Sequence, residues 1–207
     1  SWDVFDWIIN NERNTFTINS GAYPLNDSPL TVKQKWMNSF ISEMPYPGYG
    51  RGVRWDALTY EYAFEYLKSN KPRFLYIAFD ETDEFAHDIK YDNYLYAIKR
   101  LDRYIENLWL WLQSQDNYKN KTTLIITTDH GRGKYLNDKW GSHGASIPNA
   151  QNVWAAIVGP DTPSKGEITN SKTIYTNQIA ATIAHLLGFN YNTNREHGSI
   201  IKEMISN

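Results

Sequence analysis

The sequence predicts an α/β domain built on a mostly parallel β-sheet with helices on both faces. Two observations predict it. Three short runs are almost continuously apolar, as in strands covered on both sides, and segments with helical spacing lie between and after them. The resulting order, β-α-β-loop-β-α, is that of a layered α/β fold rather than of separate helical and β regions.

The first fifty residues suggest a short helix over 2–9, a strand over 15–19 and a loop, and residues 31–44 read as a further helix. Residues 55–67 carry apolar side chains near helical spacing, and the Lys-Pro-Arg breaker that follows leads into the first apolar run, FLYIAF, over 74–79. Over 91–112, Leu95, Ile98, Leu101, Ile105, Leu108 and Leu112 recur at steps of three or four, which predicts a long helix. The β-branched run TTLIITT over 122–128 is the second strand, and NVWAAIVG over 152–159 is the third. A last helix spans 176–187 and is ended by Gly188. No internal repeat, low-complexity stretch or linker divides the chain, so residues 1–207 read as a single domain.

Composition narrows the function. The 207 residues are 41% hydrophobic and 15% aromatic, enough for a packed core. Lys and Arg number 21 against 23 Asp and Glu, for a net charge of −2, which excludes a nucleic-acid binder relying on phosphate neutralisation. The same balance removes polybasic attachment to a membrane, and no apolar run approaches the roughly 20 residues that span one. A soluble globular chain is expected. Cysteine is absent, which removes disulfides, thiolate metal sites and cysteine nucleophiles. The sequence opens Ser1-Trp2-Asp3-Val4-Phe5, with neither initiator Met nor signal peptide.

Three of the five histidines stand in a pattern that suits a metal. Asp83 and His87, just after the first apolar run, are four apart and share one face if that segment is helical. Asp129 and His130 follow the second run, where ligands of α/β proteins gather beyond the strand ends. His143 lies in the glycine-flanked loop Gly141-Ser142-His143-Gly144. Carboxylates mixed with imidazoles suit Zn²⁺ or Mn²⁺ better than Ca²⁺, which prefers all-oxygen cages. Each motif taken alone is more often a surface pair; their joint occurrence after strand ends is what favours a metal.

The run TTLIITTDHGRG followed by GSHG, with Asp83-x-x-x-His87 ahead of it, resembles the C-terminal half of the alkaline phosphatase superfamily, in the branch of type I phosphodiesterases and nucleotide pyrophosphatases. The resemblance spans roughly residues 55–188, with Trp2-Asp3-Val4-Phe5 upstream. It implies an alkaline phosphatase-like fold and a metal-dependent hydrolase of phosphate esters, with a small-molecule phosphate or sulfate ester as substrate. It also implies two divalent ions, Zn²⁺ by preference and Mn²⁺ as the alternative, about 4 Å apart. Asp83, His87 and His143 would ligate one ion, and Asp129 and His130 would contribute to the other. The family's Ser or Thr nucleophile and a further Asp belong to the half of the domain preceding these motifs. Neither is recognisable here: Pro45-Tyr46-Pro47-Gly48-Tyr49 superficially resembles a nucleophile region but offers no Ser or Thr. The chain is therefore expected to be a C-terminal part, N-terminal half missing, and inactive by itself. Family habit and the lack of Cys point to a periplasmic or secreted bacterial protein. Sulfatases and phosphoglycerate mutases share these ligands, so the ester stays open, and a non-catalytic α/β binding module is the rival reading.

Weaker signals complete the inventory. Gly131-Arg132-Gly133-Lys134 lacks the spacing of a phosphate loop, although Arg132 is a candidate for an anionic ester. Trp140, beside the His143 loop, is the one aromatic placed near substrate. Asp80, Glu81, Glu84 and Asp88 either orient the histidines or are solvated, with solvation the default. His185 reads as a packed or surface residue, and His197 as part of the tail.

Overall fold

The computed structural model describes residues 15–19, 55–134, 139–169, 172–194 and 196–206. The expected helices over 2–9 and 31–44 and the Pro45-Tyr46-Pro47-Gly48-Tyr49 segment lie outside them. The chain divides into two compact units, Ser1–Trp109 and Leu110–Asn207.

In the first unit, strand β1 (Thr15–Asn19) pairs in parallel with β2 (Phe74–Ala78), Thr15 opposite Phe74 and Asn19 opposite Ala78. Helix α1 (Asp56–Asn70) buries Asp56, Thr59, Tyr60, Ala63 and Leu67, one stripe at helical spacing. Ala63 is fully enclosed, with Tyr66, Leu75 and Ile77 packed against it, so the small side chain lets the helix lie close to β2. The helix stops at Lys71, which turns left-handed at φ 49° before Pro72, a residue that disfavours helix in its predecessor. Helix α2 (Glu81–His87) follows β2 directly, and the 24-residue α3 (Tyr91–Ser114) begins after a brief turn. Tyr104 of α3 stacks on Tyr60 of α1 at 4.3 Å between ring centroids.

The apolar stripe expected on α3 is only partly inward. Leu108 and Leu112 are buried, whereas Leu95 and Ile98 are exposed, and Ala97 is the fully buried residue of the early turns. Spacing alone identified the helix but placed the buried face of its first half off to one side.

In the second unit, β3 (Leu124–Thr127) pairs with β4 (Ala155–Val158), Leu124 opposite Val158. The two run antiparallel, which corrects the expectation of parallel pairing for these runs. An apolar run reports burial and carries no information on direction. A parallel return usually needs a helical crossover, and the described residues between β3 and β4 form turns and loop. The strands are also less covered than their composition suggests, since Ala155, Ala156 and Val158 are exposed.

Residues Thr176–Gln178 form a 3₁₀ turn that runs into helix α4 (Ile179–Leu186). Gly188, at φ 85°, closes it: the Gly188 N–H donates to the His185 carbonyl at 2.9 Å and the Phe189 N–H to that of Ala184 at 2.8 Å. This is a Schellman closure, and the positive φ is why glycine stands there. A second 3₁₀ turn, Lys202–Met204, ends the described chain. Helices and strands alternate as an α/β reading requires, in one parallel and one antiparallel strand pair among the described residues. Among those residues no helix is long and apolar enough to cross a membrane.

Candidate metal centre

The segment after β2 is helical, so Asp83 and His87 do share a face. His87 Nε2 lies 3.1 Å from Asp83 Oδ2, and both side chains are about a quarter to a third exposed. Two donors on one tetrahedral Zn²⁺, at ordinary N and O bond lengths, stand ~3.4 Å apart. The pair thus fits the bite of such a cation with little rearrangement, and its donor chemistry is a borderline metal's.

What holds α2 in place is a reciprocal arrangement that sequence reading did not find. The Asp56 backbone N–H, at the start of α1, donates to Glu81 Oε1 at 2.8 Å. In return Asp56 Oδ1 accepts from the N–H groups of Asp80 at 2.9 Å and Glu81 at 3.3 Å, at the start of α2. Each helix start therefore satisfies orphan donors of the other. Glu81 is further paired with Arg100 of α3. Asp56 is 0% and Glu81 4% exposed, so Glu81 is not the solvated acid taken as its default. Asp88 is exposed and pairs with Lys90, as a solvated acid should. Asp56 sat in no motif, and nothing in its local sequence marks it as buried.

In the second unit the chain turns after β3. The His130 N–H donates to Asp129 Oδ1 at 2.9 Å, and His130 Nε2 lies 3.6 Å from Asp129 Oδ2. His130 Nδ1 is 2.9 Å from the Gly131 carbonyl. A carbonyl can only accept, so Nδ1 carries the proton and Nε2 presents its lone pair, the arrangement that metal-bound histidines adopt. The Asp129 side chain is 87% exposed and that of His130 only 23%.

Two glycines bring the His143 loop to this turn. A Cβ at Gly131 would overlap the carbonyl oxygens of Asn149 and Asn152, and one at Gly133 would overlap the carbonyl of Lys139. Their bareness lets Gly131 donate to the Ala150 carbonyl at 2.8 Å and Gly133 to that of Ser142 at 3.2 Å. The result is that His143 stacks on His130, centroids 3.7 Å apart and planes within 11°. One ring nitrogen of each lies within 4.8 Å of the other, at half-buried positions.

Arg132 and Trp140 also meet. The guanidinium lies 5.9 Å from the indole centroid, and Nη1 donates to the Trp140 carbonyl at 3.2 Å. Trp140 is buried, with 5% exposure, and Arg132 lies against it. His185 and His197 are exposed, and His197 packs edge-on against Tyr191. The structure thus joins Asp83 with His87 in the first unit, and Asp129, His130 and His143 in the second.

Comparison with known proteins identifies a family for the chain. The family model of type I phosphodiesterase / nucleotide pyrophosphatase matches residues 6–200. The chain belongs to that family, a metal-dependent branch of the alkaline phosphatase superfamily whose members typically hydrolyse phosphate esters. It is also similar to a 2,3-bisphosphoglycerate-independent phosphoglycerate mutase of Gracilaria tenuistipitata var. liui, 32% identical over 79 residues. That stretch is 38% of this chain and 14% of the relative, so the chain spans a small part of that protein. No solved structure matches.

Proposed function

We propose that this chain carries the metal-binding part of a two-metal phosphate-ester hydrolase of the phosphodiesterase and pyrophosphatase type. The observation that carries the reading is the 3.1 Å Asp83–His87 pair, a ready chelate on a short helix in a chain of this family. Asp83, His87 and His143 hold one ion in this reading. Asp129 and His130 supply part of a second set, completed by residues of the preceding half of an alkaline phosphatase-like, mostly parallel sheet. Zn²⁺ is the preferred ion on this donor chemistry, with Mn²⁺ the alternative.

When bound, such ions supply Lewis-acid stabilisation of charge on the ester oxygens and lower the pKa of a coordinated hydroxyl. The chain's own contribution is orientation. His130 keeps its proton on Nδ1 through the Gly131 carbonyl and so presents Nε2. Asp83 and His87 hold their donors on one face of α2. Arg132, seated on Trp140, offers a guanidinium to an anionic ester. No residue of the chain is assigned as nucleophile, so the chain by itself binds metal without turning ester over. An exported location fits this reading.

The test is metal content by plasma mass spectrometry after dialysis against Zn²⁺ and Mn²⁺. It is paired with hydrolysis of p-nitrophenyl phosphate and bis-p-nitrophenyl phosphate by the full-length protein. Bound metal together with ester cleavage supports the proposal, and preference for the diester favours the phosphodiesterase form. Bound metal with isomerisation of phosphoglycerate instead would favour the mutase reading that the 32% identical relative suggests. A chain that binds no metal is a non-catalytic module, and the proposal fails.

A further inference from the structure

Helix α2 is seven residues long, fewer than two full turns, and a helix of that length is not stable on its own in water. Both residues of its chelating pair depend on how it is held, since Asp83 lies in its first turn and His87 is its last residue. The hold comes from outside the helix. Asp56 Oδ1 takes the N–H groups of Asp80 and Glu81, and Glu81 Oε1 takes the N–H of Asp56. Arg100, one helix further on, fixes the other oxygen of Glu81. The acids of this clamp are almost wholly enclosed, and a buried carboxylate is costly unless its hydrogen bonds are met. A helix start that needed only a cap would be served as well by an exposed Ser or Asn at position 80. Here the cap is a side chain reaching from another helix, 24 residues earlier in the chain.

From this geometry we infer that Asp56, Glu81 and Arg100 are positioning residues for the metal site. They fix the start of α2 so that Asp83 and His87 stand at chelating distance before any ion arrives. The inference rests on the metal-site reading proposed above, and it extends that reading to residues that touch no ion. Preorganisation of this kind matters for affinity because a ligand set that must first be ordered binds more weakly by the cost of ordering it. Partners standing behind metal ligands typically change affinity by about 10- to 100-fold when removed.

The test is Zn²⁺ affinity of the full chain, measured by competition with a chromophoric chelator, beside the melting temperature and far-ultraviolet circular dichroism of the metal-free protein. Asp56→Ala is expected to weaken Zn²⁺ binding by about tenfold or more, and Asp56→Asn, which keeps an acceptor oxygen, to recover most of that loss. A merely structural role would lower the melting temperature of both variants and leave the affinity of the folded chain unchanged. Should Asp56→Ala fail to fold, Arg100→Gln carries the test, because its side chain is 37% exposed and its loss is tolerable to the core. Severalfold weaker Zn²⁺ binding in that variant, with unaltered helix content, supports the inference. Wild-type binding of Zn²⁺ with unchanged affinity in the variants overturns the inference and leaves the metal site standing. A wild-type chain that binds no Zn²⁺ overturns the metal site itself, and the inference with it.

Discussion

His130 and His143 stack face to face, with ring centroids 3.7 Å apart and planes within 11° of each other. The stack orients His143 as well as partly burying it. Replacing His143 by Ala removes an imidazole donor and the ring that covers His130. The expected result is loss of metal on the order of one hundredfold in affinity, since a vacated ligand position costs more than a changed neighbour. Plasma mass spectrometry after dialysis checks it. Unchanged metal content would remove His143 from the ligand set.

The turn that carries His130 is held against the 149–152 segment through Gly131. Gly131→Ala places a methyl group against the carbonyl oxygens of Asn149 and Asn152, which are backbone atoms and cannot swing aside. Overpacking of this kind costs ~1–3 kcal/mol. The expected outcome is a lower urea midpoint together with weaker metal binding, because relief of the clash shifts the turn that carries His130 away from the 149–152 segment. An intact midpoint would mean that Gly131 is not held by its contacts with the 149–152 segment.

The sequence and structure agree most closely where chemistry is local. Gly188 ended a helix in the sequence and does so in space, because a positive φ is a property of one residue and its immediate neighbours. The Asp83–His87 pair was readable for the same reason: helical spacing alone puts them on one face. The antiparallel return of β4 was not readable, because apolar runs carry no direction. Nor was the clamp of Asp56, Glu81 and Arg100, whose hydrogen bonds join residues 19 to 25 positions apart. Glu81 stood in a run of acids, and nothing in such a run distinguishes the one that is enclosed.

The stacked phenols of Tyr60 and Tyr104 set a limit on alkaline stability. Burial raises the pKa of both above the ordinary 10.0, with Glu61 adding to each and Arg100 partly offsetting the rise at Tyr104. Tyr66 is raised by burial as well. A raised phenol pKa means that the folded state holds its proton longer than the unfolded chain does. The stability this confers is complete below the unfolded value and is lost as pH rises through the folded one. Urea midpoints are therefore expected to hold up to about pH 10 and to fall as pH rises beyond it. Part of that fall is expected to disappear in Tyr104→Phe, which keeps the ring and cannot ionise. Equal pH dependence in the variant would show that other groups set the alkaline limit.

Thr182 supplies a separate test of how the C-terminal segment is held. Its hydroxyl is wholly buried, donates to the Gln178 carbonyl at 2.8 Å and accepts the Ile201 N–H at 3.0 Å. Ile201 is itself 1% exposed, so water cannot replace the lost acceptor without opening the site. Thr182→Val preserves shape and removes both bonds, leaving a buried N–H unmet at a cost of ~1–3 kcal/mol. The expected signature is a lower urea midpoint with faster amide exchange at Ile201 and Met204, while Zn²⁺ content stays at the wild-type level. Loss of metal in that variant would mean that the 201–204 segment supports the histidine turn.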